Sequence, residues 1–107
     1  MLIQHKEIDR QGIFFINNVK DRQVAELIYT MIAPDKMVVE HTEVDKSLRG
    51  KNVGNELMIA VVLLARTHRR KIIPRCPFAK SMFDKHADWN DVLLQIADTE
   101  KIATDIN

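Results

Sequence analysis

The hydrophobic pattern of this chain changes period once, and the change falls at a short basic segment, Arg49-Gly50-Lys51-Asn52-Val53-Gly54. Upstream of it, apolar and polar residues alternate, as in strands that bury one face. Downstream, Val53, Leu57, Ala60, Val61, Leu64, Ala65 and His68 recur at helical spacing. Only 107 residues serve both patterns, so strands and helix must share one core, which removes roughly two thirds of the unfolded surface from water. A strand–loop–helix junction is also a ready place for a phosphate, because helix N-termini carry unpaired N–H groups and the positive dipole end.

The upstream half reads as four strands. Leu2 to Ile8 alternates loosely, Asp9-Arg10-Gln11-Gly12 is a turn, and Ile13 to Ile16 returns, which predicts a β-hairpin. Gln23 to Ala33 is a third strand, Pro34-Asp35-Lys36 its turn, and Met37 to Val44 a fourth. Connections this short predict an antiparallel meander. The helix ends in the basic run Arg66 to Lys71, which suits its negative dipole end. Ile72-Ile73-Pro74-Arg75 then predicts a fifth strand, parallel to the fourth through a β-α-β crossover.

Pro77 to Lys85 is a second helix with Phe78, Met82 and Phe83 inward; Trp89 to Ile96 is a further element, helical or strand; Asp98 to Asn107 is a polar, frayed tail. The expected fold class is therefore α/β (α+β): a mixed sheet, antiparallel over strands one to four with one crossover to a parallel fifth, and two main helices. It forms a single domain over 1–107, with its core at about 2–96.

Composition narrows the partners. A net charge of +1 creates no field that would recruit nucleic acid or an anionic membrane. The cluster Arg66, Arg69, Arg70 and Lys71 lacks interleaved aromatics and reads as a solvated face. Cys76 is the sole cysteine, which excludes an intramolecular disulfide and a multi-cysteine zinc site. His5, His68 and His86 are scattered without ligand spacing, so no metal is expected. Charges interrupt the N-terminal apolar run at once, and Met58 to Ala65 is too short to span a bilayer. A cytoplasmic protein, monomeric or weakly dimeric, is the expectation.

Three constellations carry chemistry. In the loop, Gly50 permits positive φ, Asn52 is an N-cap type that tolerates the left-handed region, Gly54 lets a ligand approach the first helical turn, and Arg49 and Lys51 supply charge. The alternative is an ordinary capped helix with solvated cations. On strand four, His41 and Glu43 are two residues apart and share a face, expected to be that of Met37 and Val39, with Val38, Glu40, Thr42 and Val44 opposite. Such a pair can accept a proton, or it can simply be solvated near a strand end. Cys76 precedes Pro77 at the expected N-cap of the second helix, where the dipole favours a thiolate. It is a candidate nucleophile, a proton donor to a leaving thiolate, or a small packed residue.

Taken in order, His41-Thr42-Glu43-Val44, then Leu48-Arg49-Gly50-Lys51-Asn52-Val53-Gly54, the apolar helix, and Ile72-Ile73-Pro74-Arg75-Cys76-Pro77-Phe78-Ala79-Lys80 resemble the GCN5-related N-acetyltransferases, and more closely their short, minimal subgroup. The resemblance covers about Gly12 to Trp89. It implies acetyl-CoA as cosubstrate and a primary amine, small molecule or protein lysine, as acceptor. The superfamily's Arg/Gln-x-x-Gly-x-Gly/Ala loop binds the pyrophosphate; Arg49 and Gly54 match it, and Asn52 stands where the first Gly is usual.

The resemblance further implies a pantetheine arm lying between splayed strands four and five and pairing near Val44. It implies cofactor contacts from Val44, Arg49, Gly50, Lys51, Asn52, Val53 and Gly54, a base at Glu43 supported by His41, and a role for Cys76. The N-terminal helical region of longer relatives has no counterpart here. The rival expectation from another class is a non-catalytic CoA- or acyl-CoA-binding module; a third is a small interaction domain with a vestigial loop.

Overall fold

A computed structural model describes residues 2–94. Five strands, β1 (Gln4–Ile8), β2 (Gln11–Asn17), β3 (Gln23–Ala33), β4 (Lys36–Val44) and β5 (Lys71–Pro74), form one sheet in sequential order. The first three pairings are antiparallel; β4 and β5 run parallel, joined by helix α1 (Val53–His68). Helix α2 (Pro77–Lys85) follows β5. The fold is the expected mixed sheet with one crossover and two helices.

The helices pack on one face of the sheet. Phe14 and Ile16 of β2, Ala25, Leu27, Tyr29 and Met31 of β3, and Met37 and Val39 of β4 alternate into a core with the buried stripe of α1 (Val53, Leu57, Met58, Val61, Val62, Ala65). Ala79, Met82 and Phe83 of α2 join it. Completely buried side chains such as Leu27, Leu57 and Val61 each contribute about 1.5–3 kcal/mol through loss of hydrated apolar surface. Phe78, expected inward, is instead left at the surface.

Two sequence expectations shift at the edges. The first hairpin turns on two residues, Asp9 and Arg10, with Asp9 left-handed (φ 58°), so Gln11 and Gly12 belong to β2. Gly12 lies opposite Tyr29, and any side chain there would collide with the tyrosine ring. After α2, Ala87–Trp89 makes a 3-10 turn, and Leu93 bridges Ile72 in parallel, with Ile72 N–H to Val92 O at 2.6 Å and Leu94 N–H to Ile72 O at 3.0 Å. Of the expected element from Trp89 to Ile96 this part is a strand-like bridge; its end and the expected tail from Asp98 to Asn107 lie outside the described residues.

Arg66, Arg70 and Lys71 of the basic run are tied into the structure, while Arg69 is exposed as expected of a solvated face. Arg66 holds both oxygens of Asp91 (Nε 2.9 Å, Nη2 3.0 Å) and the Asp88 carbonyl (2.7 Å). Lys71 Nζ donates to Asp91 O at 2.6 Å. Arg70 donates to Glu7 (2.8 and 3.4 Å), tying the end of α1 to edge strand β1. Glu7 also accepts from the Tyr29 hydroxyl at 2.7 Å. Since that proton goes to Glu7, His5 Nε2, 2.7 Å from the same oxygen, must donate its own, which selects one tautomer.

The Arg70 hydrogen bond holds Glu7 below its usual carboxylate range, and burial lowers His5 from its ordinary 6.5. Both groups bind fewer protons folded than unfolded, so both make stability rise with pH. The His5 contribution is lost as pH falls below about 6.5, and that of Glu7 below about 4.5. Urea midpoints should therefore decline from pH 7 to 5.5 and further to 4, and His5→Asn should flatten the first step; a native midpoint unchanged across the range is the contrary result. Gly12→Ala should cost about 3 kcal/mol in the same assay, because β2 cannot retreat from Tyr29 without breaking its ladder.

Candidate functional site

The geometry of the site begins with a β-bulge. Ile28 of β3 pairs with His41, but Tyr29 pairs with Val39, so Glu40 is an extra residue in β4. The bulge reverses which side chains face the helices. Met37 and Val39 share the helix-side face with Thr42 and Val44, while His41 and Glu43 point to the opposite face beside Val38. The expectation that His41 and Glu43 share a face with Met37 and Val39 is corrected: strict alternation fails where one residue is inserted.

Beyond the bulge, β4 and β5 part. Their ladder runs from Lys36↔Lys71 to Val39↔Pro74. Val39 O then accepts from both Arg75 N–H (3.0 Å) and Cys76 N–H (3.2 Å), and the remainder of β4 has no partner in β5. Into this opening leads a groove of about 400 Å³, walled by Thr42, Val44, Leu48, Val53 and Phe78 and bounded by Arg49, Gly50, Asn52 and Gly54.

The loop is ordered by its own bonds. Asp45 accepts from Ser47 N–H (2.9 Å) and Ser47 Oγ (2.6 Å), starting a 3-10 turn at Lys46–Leu48. Gly50 is left-handed at φ 80°, and Asn52 at φ 59° is the N-cap of α1, as expected, but its side chain makes no capping bond. The first helical bond is Glu56 N–H to Asn52 O (3.2 Å), so the amides of Val53, Gly54 and Asn55 have no partner within the helix. Val53 is buried, so only its backbone is available. Lys51 is exposed, outside the groove wall, with its amide bonded to Leu48 O at 3.2 Å. Gly54 is not left-handed, and its missing side chain makes room for the Phe78 ring.

Cys76 takes the expected N-cap of α2. Its Sγ accepts from Ala79 N–H at 3.4 Å and lies 3.6 Å from Thr42 Oγ1, within hydrogen-bonding range for sulfur. Thr42, also a wall of the groove, thus links groove and thiol; only the bulge puts it there, so strict alternation could not show it. On the other face, His41 Nε2 is 3.2 Å from Glu43 Oε2, and Glu43 lies opposite Glu26 in a small cleft of about 200 Å³ with Asp45. His41 and Glu43 therefore pair with each other and not with Cys76. Arg75 reaches Glu40 across the diverging strands at 3.1 Å.

Among the described residues no group of three or more His, Cys, Asp or Glu side chains is placed to hold a metal, and no helix is long and apolar enough to cross a membrane.

A family model for GCN5-related N-acetyl-transferase matches residues 13–92. Among solved structures, a GCN5-like protein from Staphylococcus aureus, determined in solution by NMR, is 33% identical with a TM-score of 0.68, over 87% of this chain and 89% of that one. A GNAT family acetyltransferase from Elizabethkingia anophelis with acetyl-CoA bound is 10% identical with a TM-score of 0.57, over 72% of this chain and 53% of that one. A ribosomal-protein-alanine N-acetyltransferase from Brucella melitensis biovar Abortus is 16% identical with a TM-score of 0.58, over 71% and 62%. These last two attest the fold alone, and the chain spans less than two thirds of either. No curated protein matches the chain.

The left-handed Asn52 makes a prediction independent of any ligand. Asn52→Gly should leave stability unchanged or raise it slightly, whereas Asn52→Leu should cost about 1 kcal/mol, since other L-residues pay more in this region. Equal denaturation midpoints for the two variants would contradict the assigned backbone.

Proposed function

The chain belongs to the GCN5-related N-acetyltransferases, and from that premise we propose that it is an acetyl-CoA-dependent enzyme that moves an acetyl group to a primary amine. The observation that carries this reading is the continuity of one groove. It begins at the α1 amides and Arg49 and reaches Thr42 on the freed edge of β4, whose hydroxyl lies 3.6 Å from the buried Cys76 thiol. The residues present fit the cosubstrate: a helix N-terminus and a cation suit a pyrophosphate, apolar walls suit an extended arm, and the edge of β4 beyond the end of its ladder with β5 offers backbone groups for amide pairing.

In the direct route, the acceptor amine approaches from the face of His41 and Glu43. Its lone pair attacks the thioester carbonyl, the carbon–sulfur bond breaks, and the amine proton passes to Glu43, with His41 as its hydrogen-bond partner. Cys76 supplies or steers the proton that the departing thiolate takes up. In the covalent route, the Cys76 thiolate attacks the carbonyl first, releasing CoA, and the amine then displaces the cysteine sulfur. The position of Cys76 at the N-cap of α2, with Sγ beside the Ala79 N–H and the Thr42 hydroxyl, is the observation that keeps this route open. On this reading, residues 1–107 act as one domain.

Calorimetric titration of the full chain with acetyl-CoA and with CoA tests the proposal. Binding of both is expected, weakened about tenfold by Arg49→Ala and more at low salt than at high salt, because a charge contact is lost. Heat from neither ligand overturns it. Binding without acetyl loss across a panel of amines leaves the rival, a CoA-binding module. Intact mass after incubation with acetyl-CoA, against Cys76→Ala, separates the routes: one acetyl group on the native chain alone indicates the covalent one.

A further inference from the structure

Phe78 is a large apolar side chain on a helix that otherwise points its apolar residues inward. It remains 37% exposed, while Ala79, Met82 and Phe83 of α2 are buried. Its ring nevertheless has a defined seat. It leans on the first turn of α1, where a Cβ on Gly54 would fall 2.7 Å from Cζ and 3.2 and 3.4 Å from Cε2 and Cε1. Contacts near 2.7 Å are not found between real carbon atoms, so the seat exists only because residue 54 has no side chain. Backbone freedom does not explain this glycine, since among the described glycines only Gly50 has positive φ.

The ring also lies at a particular station of the groove. Phe78 lines the same groove as Arg49 and the first turn of α1, and it stands two residues after Cys76, the N-cap of its own helix. A ligand held by its phosphates at α1, with its reactive carbon near Cys76, would pass Phe78 between the two.

We propose that Gly54 and Phe78 act as one unit: the bare Gly54 seats the ring, and the seated ring is the apolar wall against which the pantetheine arm lies. This inference rests on the coenzyme A reading above and deepens it. Phe78 is then a positioning residue for the arm, and Gly54 acts through Phe78 without needing to admit a phosphate to the backbone.

The test is a double-mutant cycle by calorimetry on the full chain, with two probes: coenzyme A, and 3′-phospho-ADP, which carries the phosphates without the arm. Phe78→Ala should weaken coenzyme A about tenfold, as loss of an aromatic contact does, and leave 3′-phospho-ADP unchanged. Phe78→Leu, which keeps an apolar wall, should stay within roughly threefold of native. Gly54→Ala should weaken coenzyme A in the native background and add nothing in the Phe78→Ala background.

Additive losses, or a Phe78→Ala loss shared by both probes, overturn the unit. So does unchanged coenzyme A affinity in Phe78→Ala. If the native chain takes up 3′-phospho-ADP no better than buffer and coenzyme A not at all, the cofactor reading itself fails and this inference with it. Thermal midpoints of the ligand-free variants within a few degrees of native keep folding apart from binding; if Gly54→Ala unfolds, the Phe78 pair against the two probes still decides.

Discussion

The carbonyl of Val39 accepts two backbone amides, those of Arg75 and Cys76, and there the parallel ladder of β4 and β5 stops. One residue later the bulge at Glu40 turns β4 over. These adjacent events have a joint consequence that neither has alone. The end of the ladder frees the edge of β4, and the bulge directs Thr42 and Val44 along that edge toward the helices. An unbulged β4 would carry His41 and Glu43 on the helix side, setting charge against the apolar first turn of α1. The groove is apolar along its walls because one inserted residue sends the charged pair elsewhere.

The helix that forms the groove's other wall is held at both ends. At its C-terminus, Arg70 joins Glu7 of β1 and Arg66 joins Asp91, so the first strand and the last bridged segment both anchor to the same turn. Isolated surface ion pairs stabilise little, but the Arg70–Glu7 pair is mostly shielded and shares its carboxylate with the buried Tyr29. Charge-assisted bonds of this kind are the stronger class. At its N-terminus α1 has no side-chain cap. Its orientation there follows from packing of Val53 and Leu57 into the sheet and from the Phe78 contact at Gly54.

The sheet order, the crossover and both helices are legible in the sequence because they rest on periodicity summed over many residues. Gln23–Ala33 and Pro77–Lys85 have the bounds the pattern predicts. The positions of Cys76, Gly50 and Asn52 are legible too, since capping and left-handed backbone depend on local residue type. Three features are not. The bulge leaves no trace in a run of alternating residues, so the faces of His41, Thr42 and Glu43 invert. Phe78 looks like core because its hydrophobicity is visible and the position of α1 is not. Arg70 and Arg66 look free because their partners, Glu7 and Asp91, are 63 and 25 residues away respectively. Each miss is tertiary information that no local rule contains.

The loop from Arg49 to Gly54 reads as one motif but meets three separate physical demands. Gly50 answers a backbone at φ 80°, Asn52 answers one at φ 59° that an amide side chain tolerates, and Gly54 answers a shortage of space beside a ring. None of the three is a demand for charge. With a net charge of +1, the molecule has no long-range field to concentrate an anion, and Lys51 stands outside the groove wall. What the loop constrains is the placement of three helix amides at the head of an apolar groove. On the coenzyme A reading, such a site would hold an inorganic phosphate weakly and a phosphate with a long arm well, because the arm adds contact along walls that the phosphate alone never touches.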